Sequence, residues 1–147
     1  MESTLDMDVT AASAPTATEL SLYASWSARF GAWLIDGMLM LVAVVAMSAV
    51  SETAGGLAVF LLPPVYATVC HGGRSGQSVG KRIVGISVRD ASSLGRIGYG
   101  PAFGRWLVTA LLWVLVLPGL LDALWPLRDS KRQAWHDKAI HSVVIRL

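Results

Sequence analysis

Residues 26–50 read WSARFGAWLIDGMLMLVAVVAMSAV, an apolar run with an arginine and an aspartate written into its first half. At about 1.5 Å rise per residue such a run exceeds a hydrocarbon core about 30 Å thick, so it predicts a tilted transmembrane helix. Arg29 and Asp36 are two helical turns apart, on one face and about 10 Å apart along the axis, too far to pair directly. Arg29 lies near the end of the span and can snorkel to the headgroups. Asp36 lies deeper, where a carboxylate costs about 2.5–3.5 kcal/mol on the insertion scale, and so needs a partner or a proton. Arg105 and Asp122 are candidate charge partners elsewhere in the chain. Ala28 and Ala32 extend the Asp36 stripe toward the amino end, a small-residue face that lets another helix approach and cover the carboxylate.

The rest of the composition agrees with a membrane protein. In 147 residues, 54% are hydrophobic and only 15% charged, and the mean hydropathy is +0.55, which is skewed away from a soluble globule. The acidic start (Glu2, Asp6, Asp8, Glu19) lacks the basic region of a secretory signal, so residues 26–50 are expected to stay as an anchor. Residues 1–22 are predicted as a disordered acidic tail and 23–147 as a membrane domain. A pI near 9.0 does not point to nucleic acid, because the basic residues flank apolar segments instead of covering a polar face. Cys70 is the single cysteine, which excludes an intrachain disulfide or a cysteine metal cluster.

A second apolar segment, 55–70, is short for a span and holds Pro63-Pro64, where a kink is expected. The turn before it, 51–54, carries no Lys or Arg. The loop that follows carries Arg74, Lys81, Arg82, Arg89 and Arg96, which places it in the cytoplasm by the positive-inside rule. The amino terminus is then cytoplasmic, and the protein is expected in the cell (plasma) membrane as a multi-pass protein. A third apolar stretch, 105–127, is followed by an equally basic tail (Arg128, Lys131, Arg132, Lys138, Arg146), which a single crossing would export. A hairpin or re-entrant segment broken at Pro118-Gly119 resolves that conflict. The runs 83–88 (IVGISV) and 141–147 (HSVVIRL) look like strands. Paired as a small cytoplasmic sheet, they would bring both ends of the third stretch to one side. The predicted fold class is therefore an all-α membrane bundle with two spanning helices, a broken third segment and a two-stranded sheet.

No catalytic constellation stands out. The loop 76–82, GQSVGKR, approaches a phosphate loop but has Ser75 where the motif needs glycine and Arg82 where it needs Ser or Thr. Lys81 and Arg82 read instead as a basic collar for anionic lipid headgroups. His71, His136 and His141 lack ligands at metal-binding spacing and read as surface or interface histidines. No enzyme, cofactor, metal site or nucleic-acid partner is expected.

Arg29 and Asp36, GQSVGKRIVGISVRD over 76–90, Arg105, and RQAWHDKAIHSVVI over 132–145 together resemble the RDD family of small membrane proteins. The resemblance covers about 120 residues. The family takes its name from one Arg and two Asp. Arg29 and Asp36 match the first two, and Asp137 is the best candidate for the third, ahead of Asp122 and Asp129. Ser142 stands where the family commonly has Thr. The resemblance implies a multi-helix membrane domain of largely undefined activity, with transport proposed for some members. It also suggests that Arg29 meets Asp137 from the tail and locks the sheet under the helices.

Two functional classes follow. One is a structural or accessory module, assembling as a homo-oligomer or within a larger membrane complex. The other is a cation or proton transporter acting as an oligomer, with Asp36 titrating on the ion pathway. An enzyme acting on lipid is a third class, without catalytic residues to support it.

Overall fold

The computed structural model describes residues 21–147, so residues 1–20 of the expected acidic tail lie outside the described residues. Two long helices come first, α1 over Trp26–Val50 and α2 over Glu52–Gly72, and both are apolar and long enough to cross a bilayer. A short helix α3 (Val79–Val84) leads into strand β1 (Ile86–Asp90). The third apolar stretch forms α4 (Tyr99–Val114) and α5 (Val116–Leu124), continued by a 3-10 turn over Trp125–Leu127. Helix α6 (Trp135–Ala139) and strand β2 (Ser142–Arg146) close the chain.

Ser51 separates α1 from α2 and caps both: its N–H donates to the Met47 carbonyl, and its Oγ accepts from Ala54 N–H at 3.0 Å. A hydroxyl in extended backbone can satisfy the first orphan donors of the following helix, which is why one residue suffices for the reversal. Helix α2 runs unbroken through Pro63 and Pro64 and is longer than the apolar segment inside it. It packs against α1 on one side and α4 on the other. The large apolar side chains point outward: Val42, Val45, Phe60, Leu61, Val114 and Leu117 are all more than half exposed. A soluble chain would not leave such a surface to water.

The third stretch breaks one turn earlier than its sequence suggests. The reversal is at Leu115 (φ −102°, ψ 87°), not at Pro118-Gly119. Pro118 falls in the first turn of α5, where its missing N–H would have had no helical acceptor. Gly119 lies against Trp113, and a Cβ there would come within 2.7 Å of the indole. The two residues therefore shape the start of α5 and its contact with α4; they do not make the break.

The first strand also begins later than expected. Ile83 and Val84 belong to α3, which ends at Gly85 in the left-handed conformation (φ 72°). Strand β1 pairs antiparallel with β2, from Ile86 opposite Arg146 to Asp90 opposite Ser142. Ala24 N–H donates to Val144 O at 2.8 Å, so the segment entering α1 adds to the edge of the sheet. The small buried core gathers here, with Ile86, Val88 and Val144 against Ala24 and Ala32. Because β1 precedes α4 and β2 follows α5, both ends of the third stretch return to the same sheet.

Candidate functional site

Every ionisable side chain within the three apolar segments, Glu52 apart, lies toward the end that carries the sheet. At its centre is Asp137, with no side-chain exposure. It occupies the third position of α6, so its Oδ2 reaches back to the N–H of Ala134 at 3.0 Å. The same oxygen accepts from Arg29 Nη1 at 2.6 Å. Oδ1 takes Arg105 Nε at 2.9 Å and Nη2 at 2.7 Å. Burial alone would raise the Asp137 carboxyl, but the Arg105 and Arg29 guanidiniums hold it well below the usual carboxylate range.

The network continues past Arg105. Its Nη2 lies 2.9 Å from His136 Nε2, and His136 Nδ1 lies 2.6 Å from Asp122 Oδ2. A guanidinium can only donate, so Nε2 accepts and the ring proton sits on Nδ1, aimed at Asp122. Asp122 Oδ1 also accepts the backbone N–H of His136 at 3.0 Å. Four elements, α1, α4, α5 and α6, are thereby tied at one point by Arg29, Arg105, Asp122, His136 and Asp137. Asp129 stands outside this knot, paired with Lys138 at the surface.

Asp36 is held separately. Tyr66 Oη–H donates to Oδ1 at 2.8 Å, Gly80 N–H to the same oxygen at 2.8 Å, and Ser78 Oγ–H to Oδ2 at 2.5 Å. Tyr66 Oη in turn accepts from Val79 N–H at 2.9 Å. The start of α3 is thus folded onto α1, and Gly80 is what lets it come so close: a Cβ there would run into the carbonyl of Ala32. The small face at Ala32 receives this short helix instead of another span.

These contacts correct several expectations. Neither Arg105 nor Asp122 partners Asp36; Arg105 binds Asp137 and Asp122 binds His136. His136 is not a surface histidine. Of the expected headgroup pair, Arg82 is exposed, but Lys81 is turned between helices and lines a groove beside Arg29 and Arg105. Tyr66, Ser78 and Gly80 were not legible as Asp36 ligands. Ser78 and Gly80 lie in the 76–82 motif, whose pattern of hydroxyl, glycine and base suggests phosphate or lipid but here serves an internal carboxylate.

Burial, and then the nearby charge of Arg105, lowers the Lys81 ammonium from its ordinary value to about 8. The unfolded chain keeps that proton to a pH above 10, so the unfolded state binds more protons between about pH 8 and 10.5 and stability rises with pH in that window. Thermal unfolding in a neutral detergent is expected to show this rise, and Lys81→Met to remove it. The difference between the two curves isolates Lys81 from Cys and Tyr groups titrating over the same range. An identical slope in both proteins would refute the assignment.

The family model of the RDD family matches residues 23–141. No curated protein and no solved structure matches the chain.

Proposed function

The chain belongs to the RDD family, and from that premise we propose that this membrane protein is a structural or accessory module of the cell membrane. In this reading it is multi-pass, its amino terminus is cytoplasmic, and the α4–α5 hairpin dips in and returns to the cytoplasmic side. Its assembly is with itself or with a larger complex.

One observation carries the reading: the charged side chains of the apolar segments, Glu52 apart, are drawn to one end and held there by partners within the same chain. Beyond Asp36 toward the opposite end, residues 37–51 of the first span, 53–65 of the second and 106–121 of the third contain no Asp, Glu, Lys, Arg or His. A proton or cation path needs successive polar or ionisable stations through the hydrocarbon. Asp36 is in addition engaged by three donors from its own chain. A carboxylate so engaged is suited to fastening α3 to α1 and α2.

The competing reading is a cation or proton transporter that completes its path as an oligomer and titrates Asp36. Asp36→Asn is close to isosteric and separates the two. Proteoliposomes loaded with a pH-sensitive dye are expected to leak protons, sodium and potassium at the rate of empty vesicles, with wild type and variant alike. Ion flux through the wild type that Asp36→Asn abolishes would overturn the accessory reading.

A further inference from the structure

Helices α1 and α4 both pack on α2, but make no extended contact with each other. Between α1 on one side and the α4–α5 hairpin on the other runs a half-open groove of about 320 Å³. Its walls are apolar and three basic side chains line one end. Along α1 the rings of Trp26, Phe30 and Trp33 stack at 5.1 and 5.9 Å between centroids, an aromatic ladder two turns long. Trp113 and Leu120 face it from the hairpin, and both are well exposed, as is Trp33.

Arg29, Lys81 and Arg105 line the groove at the sheet end, against one lining carboxylate, Asp122, which is bonded to His136. Of the Arg29 guanidinium only Nη1 has a partner. Its Nε and Nη2 are buried and bonded to nothing among the described residues. An unpaired buried donor costs about 1–3 kcal/mol, more when it carries charge, so Arg29 would gain from a small side-chain shift that brought an acceptor to these nitrogens. The aqueous side of the charged end is bridged by Trp26 Nε1–H, which donates to Ala123 O at 2.9 Å and joins α1 to α5. Beyond that bridge the groove continues between apolar side chains of α1 and the hairpin, Trp33, Trp113 and Leu120 among them.

We propose that this groove binds one anionic phospholipid, its phosphate oxygens set between Arg29 and Lys81 and its upper acyl chain laid along the Trp26, Phe30 and Trp33 ladder. The volume suits a headgroup phosphate and the first part of a chain, since small-ligand pockets begin at about 300 Å³. Zwitterionic lipid would bring its own cation beside Arg29, Lys81 and Arg105. The site rests on the membrane reading but not on the choice between accessory module and transporter.

The test uses the full chain purified in a mild detergent, with phosphatidylglycerol or phosphatidylcholine added and native mass spectrometry as the readout. One phosphatidylglycerol retained per chain, in preference to phosphatidylcholine, is expected. Lys81→Gln should weaken that retention about five- to tenfold, the effect of one basic group near an anionic surface. Arg82→Gln, the exposed neighbour, should change it less than twofold. In nanodiscs, phosphatidylglycerol brominated on its acyl chain should quench tryptophan fluorescence more than brominated phosphatidylcholine at equal mole fraction. Equal loss from both variants, or no preference between the lipids, would overturn the site in favour of a general basic collar. Displacement of the lipid by millimolar inorganic phosphate would show a site for free anions, and a lipid-free dimer would show that a second copy fills the groove. Either result defeats the proposal.

Discussion

Asp137→Asn is expected to destabilise the protein by about 3–5 kcal/mol, the range for removing one member of a buried ion pair. Two guanidiniums converge on this carboxylate, so the substitution leaves Arg29 and Arg105 facing each other with a neutral amide between them. The amide also turns one donor toward groups that can only donate. Denaturation in mixed detergent micelles should show an early transition, and helical signal should be lost together with attachment of the sheet. The origin of the loss can be isolated by a cycle with Arg29→Met. Once Asp137 is neutral, removing Arg29 relieves repulsion, so the double variant should be more stable than the sum of the single losses requires. Full additivity would mean that the pair is not coupled. The pH dependence has a definite sign. Because the Asp137 carboxyl is held well below its ordinary value, its contribution is complete above about pH 5 and declines only as pH falls below the ordinary carboxylate pKa of about 3.9 toward the folded-state value. The gap between wild type and Asp137→Asn should therefore be flat from pH 8 to 5 and narrow below 4.

Gly80→Ala is the second large effect, expected to cost about 1–3 kcal/mol through overpacking against backbone that cannot move aside as a side chain can. The added methyl would press on the Ala32 carbonyl and approach Asp36 Oδ1 at 3.0 Å. To make room, α3 has to lift from α1, which lengthens the Gly80 N–H bond to Asp36 and drags Ser78 with it. Hydrogen exchange over residues 78–82 should speed up along with the stability loss. Gly37→Ala is the matched control, one residue from Asp36 and with no atom within 4 Å of the new methyl. There the higher helix propensity of alanine should give a neutral or mildly stabilising result, at most about 1 kcal/mol. Equal losses at both positions would remove the argument from close approach.

The long helices were readable because their signal is compositional: the apolar run over 26–50 admits few alternatives, and the shorter run 55–70 forms the middle of the second helix. The sheet was readable from two β-branched runs, and the return of the third stretch from the charges on either side of it. What the sequence hid were the contacts between segments far apart in the chain. Arg105 pairs with Asp137 and not Asp36 because α6 delivers that carboxylate at its third position, a placement that no linear spacing encodes. Asp36 is satisfied by a tyrosine, a serine and a backbone N–H, and neutral donors leave no charge pattern to follow. Proline misled for a related reason. Pro118 marks a place where a helix can start as readily as one where it must stop, and the sequence alone does not distinguish the two.

The reversals at Ser51 and Leu115 are each a single residue long, and they lie at the end of the helices away from the sheet. Among the described residues, that end has no loop to be cut, modified or gripped. If the helices cross the bilayer as proposed, an impermeant protease or an antibody approaching that end would meet little more than two helix tips, while the irregular backbone of the described residues lies at the sheet end. In the proposed multi-pass arrangement, the described residues would thus be mute toward one compartment. Among the described residues, a partner would then meet the sheet, the basic loop or the lateral faces of the helices.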